Sequence, residues 1–250
     1  MVKPANFSHF WHQYQDRPYF RFHQPRYQYL IELLARYPLL TEKPNVLDIG
    51  PSRLTELLHL YYQTPIHSLG LEPDATSPRG PHYHFDLNLC QKPEDWRQDH
   101  GPYDLIVMAE VIEHLYTSPA FVLAYLRTLL KPNGYLLIQT PNAVAIDKRA
   151  KLLFGYNPYS LIRLNRHGHY RELTLPELNK YARNSNLLTV EASHHQYFDL
   201  RYRKRTYQGT FDHAPPTPKA HFLQIINYLL NYAPPTWRAG ITILLKPTQN

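Results

Sequence analysis

The chain has 250 residues, 43% of them hydrophobic, and a formal net charge of +7. That apolar content supports one ordinary core, so a single domain over residues 1–250 is expected, and no apolar run approaches the roughly 18–20 residues of a membrane span. One cysteine, Cys90, excludes a disulfide framework or a thiolate zinc cluster. The N-terminus MVKPANFSHFWHQYQD lacks the apolar stretch of a signal peptide, so a cytoplasmic location is expected.

Residues 1–42 are rich in aromatics and include RYQYLIELLARY, whose apolar residues recur at three and four and predict an amphipathic helix within an N-terminal helical extension. Residues 43–142 then carry five short, turn-bounded apolar runs: NVLDIG (45–50), IHSLGLEP (66–73), HYHFDLN (82–88), YDLIVMAE (103–110) and GYLLIQTPN (134–142). Segments of helical period separate most of them. One of these has Ser118 as its cap, Pro119 at the first helical position and Asn133-Gly134 as its stop. Such alternation predicts an α/β fold with a mostly parallel, Rossmann-like sheet and helices on both faces.

After Asn142 the alternation breaks. Residues 143–172 read as an inserted lid bearing Phe154, Tyr156, Tyr159 and Tyr170, aromatics suited to stacking on an acceptor or on one another. In residues 173–250 Thr174 and Glu177 open a helix as a capping box. An extended segment follows near Leu187–Phe198, then a basic stretch RYRKRTY (201–207), a helix near HFLQIINYLLNY and a final apolar run AGITILLK. The two late strands would bring the sheet to seven, both as antiparallel edges. Charge is lopsided: residues 1–142 hold 12 basic against 14 acidic side chains, and residues 143–250 hold 15 against 6. The C-terminal part therefore suits an anionic partner, whether a nucleic acid, a phosphorylated metabolite or a membrane surface, or is simply a solvated basic face.

Ligands of an open parallel sheet bind beyond the carboxyl ends of its strands, and four of the five strand ends here hold a carboxylate. Glu72, twenty-two residues past Gly50, is placed to accept hydrogen bonds from ribose hydroxyls and repels phosphate. The turn GPSRL lacks the glycine set of a pyrophosphate cradle, so the inferred ligand is a nucleoside without phosphates. Ser52 can offer a hydroxyl and a backbone amide to a carboxylate. Asp104, at the start of its strand, is assigned to structure. If AEVIEHL is helical, Glu110, Glu113 and His114 share one face, which makes His114 a candidate general base or a packing residue of a helix start.

In order, VLDIG, GLEPD, FDLN, YDLIVMAEVIEHL and LLKPNGYLLIQTPN resemble the motifs of class I S-adenosylmethionine-dependent methyltransferases over roughly Asn45–Asn142, in particular the branch of ubiquinone-pathway O-methyltransferases. The resemblance implies S-adenosylmethionine as cofactor. Asp48, Gly50 and Ser52 would lie under its methionine part, Glu72 on the ribose, Asp86 and Leu87 by the adenine, and Ala109 and Glu110 near the methyl group. It also implies a small or medium acceptor (sugar, lipid-linked or isoprenoid) methylated on oxygen, with Glu110, Glu113 and His114 as the catalytic set. Asn142, His167, His169 and Tyr170 would be on the acceptor side. No metal is part of this reading. A rival follows from the similarity to RNA 3′-terminal 2′-O-methyltransferases, in which Glu110, Glu113 and His114 with His167 or His169 would hold a divalent ion. A second rival is a non-catalytic, partner-binding relative whose altered Pro51-Ser52 loop no longer binds cofactor.

Overall fold

The computed structural model describes residues 8–14, 17–39, 41–72, 80–159, 168–203 and 215–248. The strands are β1 (Val46–Ile49), β2 (Ile66–Gly70), β3 (His82–His84), β4 (Tyr103–Ala109), β5 (Leu130–Pro141), β6 (Leu187–His195) and β7 (Gly240–Pro247). They form one seven-stranded sheet in the order β3-β2-β1-β4-β5-β7-β6. The first five run parallel, and β7 is antiparallel to both β5 and β6. Strand order therefore reverses between β1 and β4, where the sequence locates the ligand crevice.

One expectation is corrected here. Of the two late strands only β6 is an edge; β7 slots between β5 and β6. The reason lies in its residues: Ile241, Ile243, Leu244 and Leu245 are all buried and leave no solvent face, whereas β6 is half-exposed along most of its length.

Helices cover both faces. On one lie α1 (Ser8–Tyr14), α2 (Pro18–Arg36) and α3 (Arg53–Tyr62), whose Phe10, Phe20, Tyr27, Leu30, Leu54 and Leu57 pack on Val46, Leu105 and Val107. On the other, α4 (Pro119–Thr128) and α6 (Leu175–Asn184) pack Val122, Leu126, Leu178 and Ala182 on Leu47, Ile106 and Met108. The alternating assignment of successive β4 residues to the two clusters is the period-two geometry of a strand buried on both sides. Ser118 caps α4 through the Ala120 amide, as expected. The helix ends at Thr128, before Asn133-Gly134, because β5 begins at Leu130, which pairs with Tyr103. Thr174 and Glu177 form the expected capping box of α6. Asp104 accepts from the Asn45 amide and from Lys131 Nζ, both at 2.8 Å, at the strand end remote from the crevice. In the inserted segment a short helix, α5 (Ile146–Leu153), follows β5, and α7 (Pro218–Leu229) precedes β7.

Asp48 joins β1 to α3. Its Oδ2 accepts a 2.6 Å hydrogen bond from Thr55 Oγ1, and Thr55 Oγ1 in turn accepts from the Ser52 amide at 2.9 Å. Burial pushes the Asp48 carboxyl up to about 7, against the opposing pull of Thr55 and Arg26. Because the folded pKa lies above the unfolded one, the proton held by Asp48 stabilises the fold below about pH 4, and that stability is lost as pH rises towards 7. The stability difference between wild type and Asp48→Asn in urea unfolding should therefore shift by roughly 3 kcal/mol against wild type from pH 5 to pH 8. A difference that stays flat over that range would show that Asp48 is ionised in the fold at the lower pH.

Candidate active site

Gly50 leaves β1 with φ +72° and donates its amide to Leu69 O of the next strand at 2.9 Å. A Cβ there would strain the backbone and stand 2.9 Å from Val111 Cγ2, so the turn requires glycine. Ser52 is committed differently from the expectation. Its hydroxyl accepts from the Leu54 amide at 3.2 Å, and its own amide donates to Thr55, so both groups cap α3 and the amide is not available to a ligand. Glu72 stands exposed just past β2. Asp86 follows β3 and its Oδ1 takes the amide and side-chain N–H of Asn88 at 3.0 and 2.9 Å, capping a 3₁₀ turn in which Leu87 is buried. Ala109 closes β4.

The stretch after Ala109 is not an α-helix. Glu110 adopts a left-handed backbone with φ 58° while its amide still pairs with Gln139 O, and only Ile112–His114 turn as a 3₁₀ helix. The helical face expected of Glu110, Glu113 and His114 is therefore absent: Glu110 turns to Arg26 and Tyr197, while Glu113 Oε1 and His114 Nε2 stay 3.9 Å apart. A left-handed non-glycine residue is costly and persists only where its surroundings hold it. They do: Glu110 Oε1 lies 3.9 Å from Arg26 Nη1 and 3.2 Å from the Tyr197 hydroxyl, which is shared with the Thr140 carbonyl at the same distance. Burial pushes the Glu110 carboxyl up; Arg26 and Tyr197 pull it back.

Arg26, on α2, is 3% exposed, and its Nε and Nη1 have no hydrogen-bond acceptor among the described residues. Burial works against its charge, but the fields of Tyr27 and Glu110 raise its pKa overall, so it remains protonated. It also acts on Asp48, so it sits over the carboxyl ends of β1 and β4, the adjacent strands at the reversal point. Glu110 supplies its counter-charge from beyond hydrogen-bond reach, so the Nε and Nη1 hydrogens can still take an anionic acceptor. Arg26 and Tyr197 escaped the sequence reading. A signal existed for Arg26: Phe22, Arg26 and Leu30 follow at steps of four, which sets one cation inside the apolar stripe of α2.

Glu113 is fully buried, with Oε2 accepting from Thr140 Oγ1 at 3.0 Å and Oε1 without a hydrogen bond among the described residues, 3.9 Å from His114 Nε2. Burial, and then the charge of Glu110, hold its carboxyl well above the usual range. His114 Nδ1 lies 2.8 Å from Gly168 O; a carbonyl can only accept, so Nδ1 carries the proton and Nε2 the lone pair. His169 Nδ1 likewise meets Glu172 Oε1 at 2.9 Å, and the two rings stand edge to face at 4.8 Å. Glu172 is pushed up by burial, but His169 and the paired Lys148 more than offset this and hold it below its ordinary value. Ligand atoms of Glu113, His114 and His169 all fall within 4.8 Å of one another, so the three could hold a cation, with Thr140, Gly168 and Glu172 orienting them from behind.

The remaining expected site residues divide. Tyr170 is half-buried, its amide on Glu113 O and its ring edge to face with Tyr116. Asn142 is corrected to a structural position: it is buried, its Nδ2 donates to Thr236 O and Arg238 O, and its Oδ1 accepts from Val144, so its side chain is spent on the fold. His167 lies outside the described residues. Of the lid aromatics, Phe154 and Tyr156 are exposed, and Tyr159 donates to Ala143 O. Arg201, in the basic stretch, is paired with Asp199, and residues 204–207 of that stretch lie outside the described ones.

Several solved structures share the fold. A Clostridium acetobutylicum S-adenosylmethionine-dependent methyltransferase is 11% identical with TM-score 0.55, covering 97% of this chain and 99% of its own. A Burkholderia thailandensis 1,6-didemethyltoxoflavin-N1-methyltransferase, solved with its substrate and S-adenosylhomocysteine, is 16% identical with TM-score 0.55, covering 100% and 92%. The Haemonchus contortus phosphoethanolamine N-methyltransferase 2 is 14% identical with TM-score 0.57, covering 100% and 61%. No curated protein matches the chain in sequence. The family model described as a methyltransferase domain matches residues 19–192, from the helix that carries Arg26 through the strand that precedes Tyr197, and by that match the chain belongs to the methyltransferase-domain family.

Proposed function

We propose that the protein transfers a methyl group from S-adenosylmethionine to a hydroxyl oxygen of a small or medium acceptor of sugar, lipid-linked or isoprenoid type. The observation that carries the cofactor is Arg26: a buried cation over the carboxyl ends of β1 and β4 with N–H groups that lack an acceptor among the described residues. The methionine carboxylate of the cofactor is the anion that completes it. Arg26 would take that carboxylate in place of the Ser52 amide, Glu72 the ribose hydroxyls, Asp86 and Leu87 the adenine, and Asp48 and Gly50 would shape the turn beneath. When bound, the cofactor supplies an electrophilic methyl group already activated by its sulfonium charge, so alignment does most of the work and a base assists.

The base is His114. Its Nδ1–H is fixed on Gly168 O, which directs the Nε2 lone pair to accept the hydroxyl proton. Burial holds the Glu113 carboxyl well above its ordinary range, and Glu110 is tied to Arg26 and Tyr197. His169 and Tyr170 would face the acceptor.

One observation favours a second reading: Glu113, His114 and His169 stand within 4.8 Å, the imidazoles backed by a carbonyl and a carboxylate as metal-binding histidines are. A divalent cation there would lower the pKa of the acceptor hydroxyl directly, and an RNA 3′ end, with its 2′-hydroxyl, is the matching acceptor for a chain whose residues 143–250 are so basic.

Three outcomes test these readings. Calorimetry with S-adenosylhomocysteine should give binding that weakens by about tenfold or more in Arg26→Gln/Glu110→Gln, the second change sparing an unpaired buried carboxylate; unchanged affinity would remove Arg26 from the cofactor site. With labelled cofactor and a panel of hydroxylated sugars and isoprenoid phenols, His114→Gln should lower transfer by roughly 10²–10⁴-fold and leave S-adenosylhomocysteine affinity intact. Manganese should leave the melting midpoint unmoved if His114 acts as a base; a rise that His169→Ala abolishes establishes the metal reading.

A further inference from the structure

Helix α7 is built inside out. Two of its polar side chains face the protein: Gln224 Oε1 accepts from the Leu200 amide at 2.8 Å, and Asn227 Nδ2 donates to Phe198 O at 3.0 Å. Its apolar side chains face solvent, with Phe222, Ile225, Tyr228 and Leu229 each between 56% and 60% exposed. An amphipathic helix of a water-soluble surface has the opposite arrangement, and a contiguous exposed apolar face of this kind marks a docking surface.

Composition decides what docks there. Residues 200–250 hold seven lysines and arginines against one acid; Arg201 is paired with Asp199 and Arg238 with backbone carbonyls, and the exposed cations described beside α7 are Lys219, which opens it, and Arg203, just past the turn it packs on. Two 3₁₀ turns that follow, Leu230–Tyr232 and Pro235–Trp237, add Tyr232 and Trp237, whose rings with a hydroxyl or an indole N–H partition to the boundary between water and lipid. A second patch has the same character: α5 ends in Leu152, Leu153, Phe154 and Tyr156, all exposed, with Arg149 and Lys151 exposed beside them. Asn142 links the two. It holds the start of α5 through Val144 and the segment between α7 and β7 through Thr236 and Arg238, so the chain segments that lead to both patches meet at the carboxyl end of β5.

We propose that α7, with the end of α5, is an interfacial membrane-docking surface whose partner is an anionic lipid bilayer. Apolar and aromatic side chains enter the headgroup boundary while the flanking cations meet the negative surface, the two-signal arrangement that peripheral attachment requires. A second copy of the chain fits less well, since it would set cation against cation around the apolar face.

Flotation of the full chain with phosphatidylcholine vesicles containing about one third phosphatidylglycerol tests this. Binding is expected, reduced on pure phosphatidylcholine and at high salt. In Phe222→Ser/Ile225→Ser it should fall by about tenfold or more, and Lys219→Glu should weaken it on anionic vesicles only. Circular dichroism and S-adenosylhomocysteine calorimetry, unchanged in both variants, show that the fold is intact. Failure of wild type to float at any composition would overturn the proposal, as would binding indifferent to the Phe222/Ile225 change. A concentration-dependent dimer in light scattering that the same change dissolves, without vesicle binding, would also overturn it and assign the face to a second copy.

Discussion

The contact on which the crevice depends is the buried pair of Arg26 and Glu110. Neither charge can stand alone in the interior, since an unpaired buried ion costs several kcal/mol. Each is delivered by a different part of the chain. Arg26 rides on α2, which is clamped to the sheet by Phe20, Tyr27, Leu30 and Leu34, and Glu110 is the residue at which β4 turns away from the sheet in a left-handed conformation. Tyr197, just past β6, completes the group from a third direction and fits only because Gly240 carries no side chain: a Cβ there would lie 2.1 Å from the ring. The N-terminal helices and the C-terminal strands thus meet at the carboxyl end of the parallel strands and close it.

The electrostatics of this end differ from a simple ring of acids. Asp48 is turned towards α3 and raised by burial, and burial raises Glu110 and Glu113 as well, Glu110 against the pull of Arg26. Glu172 is the contrary case, held ionised by His169 and Lys148. Glu72 is the strand-end acid that faces solvent. The result is a buried cation with N–H groups that lack an acceptor among the described residues, a buried carboxyl beside an imidazole lone pair, and an exposed carboxylate just past β2. That suits an adenosine bearing an amino-acid tail better than a polyphosphate, as the single glycine of the first turn also implies.

Much of the fold is legible in the sequence, because strands buried on both faces read as short apolar runs and helix starts carry their own chemistry, as Ser118-Pro119 and Thr174 with Glu177 do. What periodicity does not contain is pairing order, so the insertion of β7 between β5 and β6 is visible only once its two apolar faces have neighbours. The turn after β4 fails for another reason: AEVIEHL has helical spacing, but Gln139 pairs with the Glu110 amide and the ion pair with Arg26 fixes the side chain, so tertiary contacts override local preference. Asn142 reads as an acceptor residue because polar groups at strand ends often are, yet three backbone groups claim its amide. The sequence leaves open whether His167 or His169 meets His114, and the Gly168 carbonyl and Glu172 that orient the two rings are not visible in it.

The most direct measurement is a crystal structure of the chain soaked with S-adenosylhomocysteine. The amino-acid carboxylate should lie within hydrogen-bonding distance of Arg26 Nε or Nη1, with Glu72 on the ribose. Density that puts the carboxylate on the Pro51-Ser52 backbone, leaving Arg26 engaged by Glu110 alone, would contradict the role given to the buried cation.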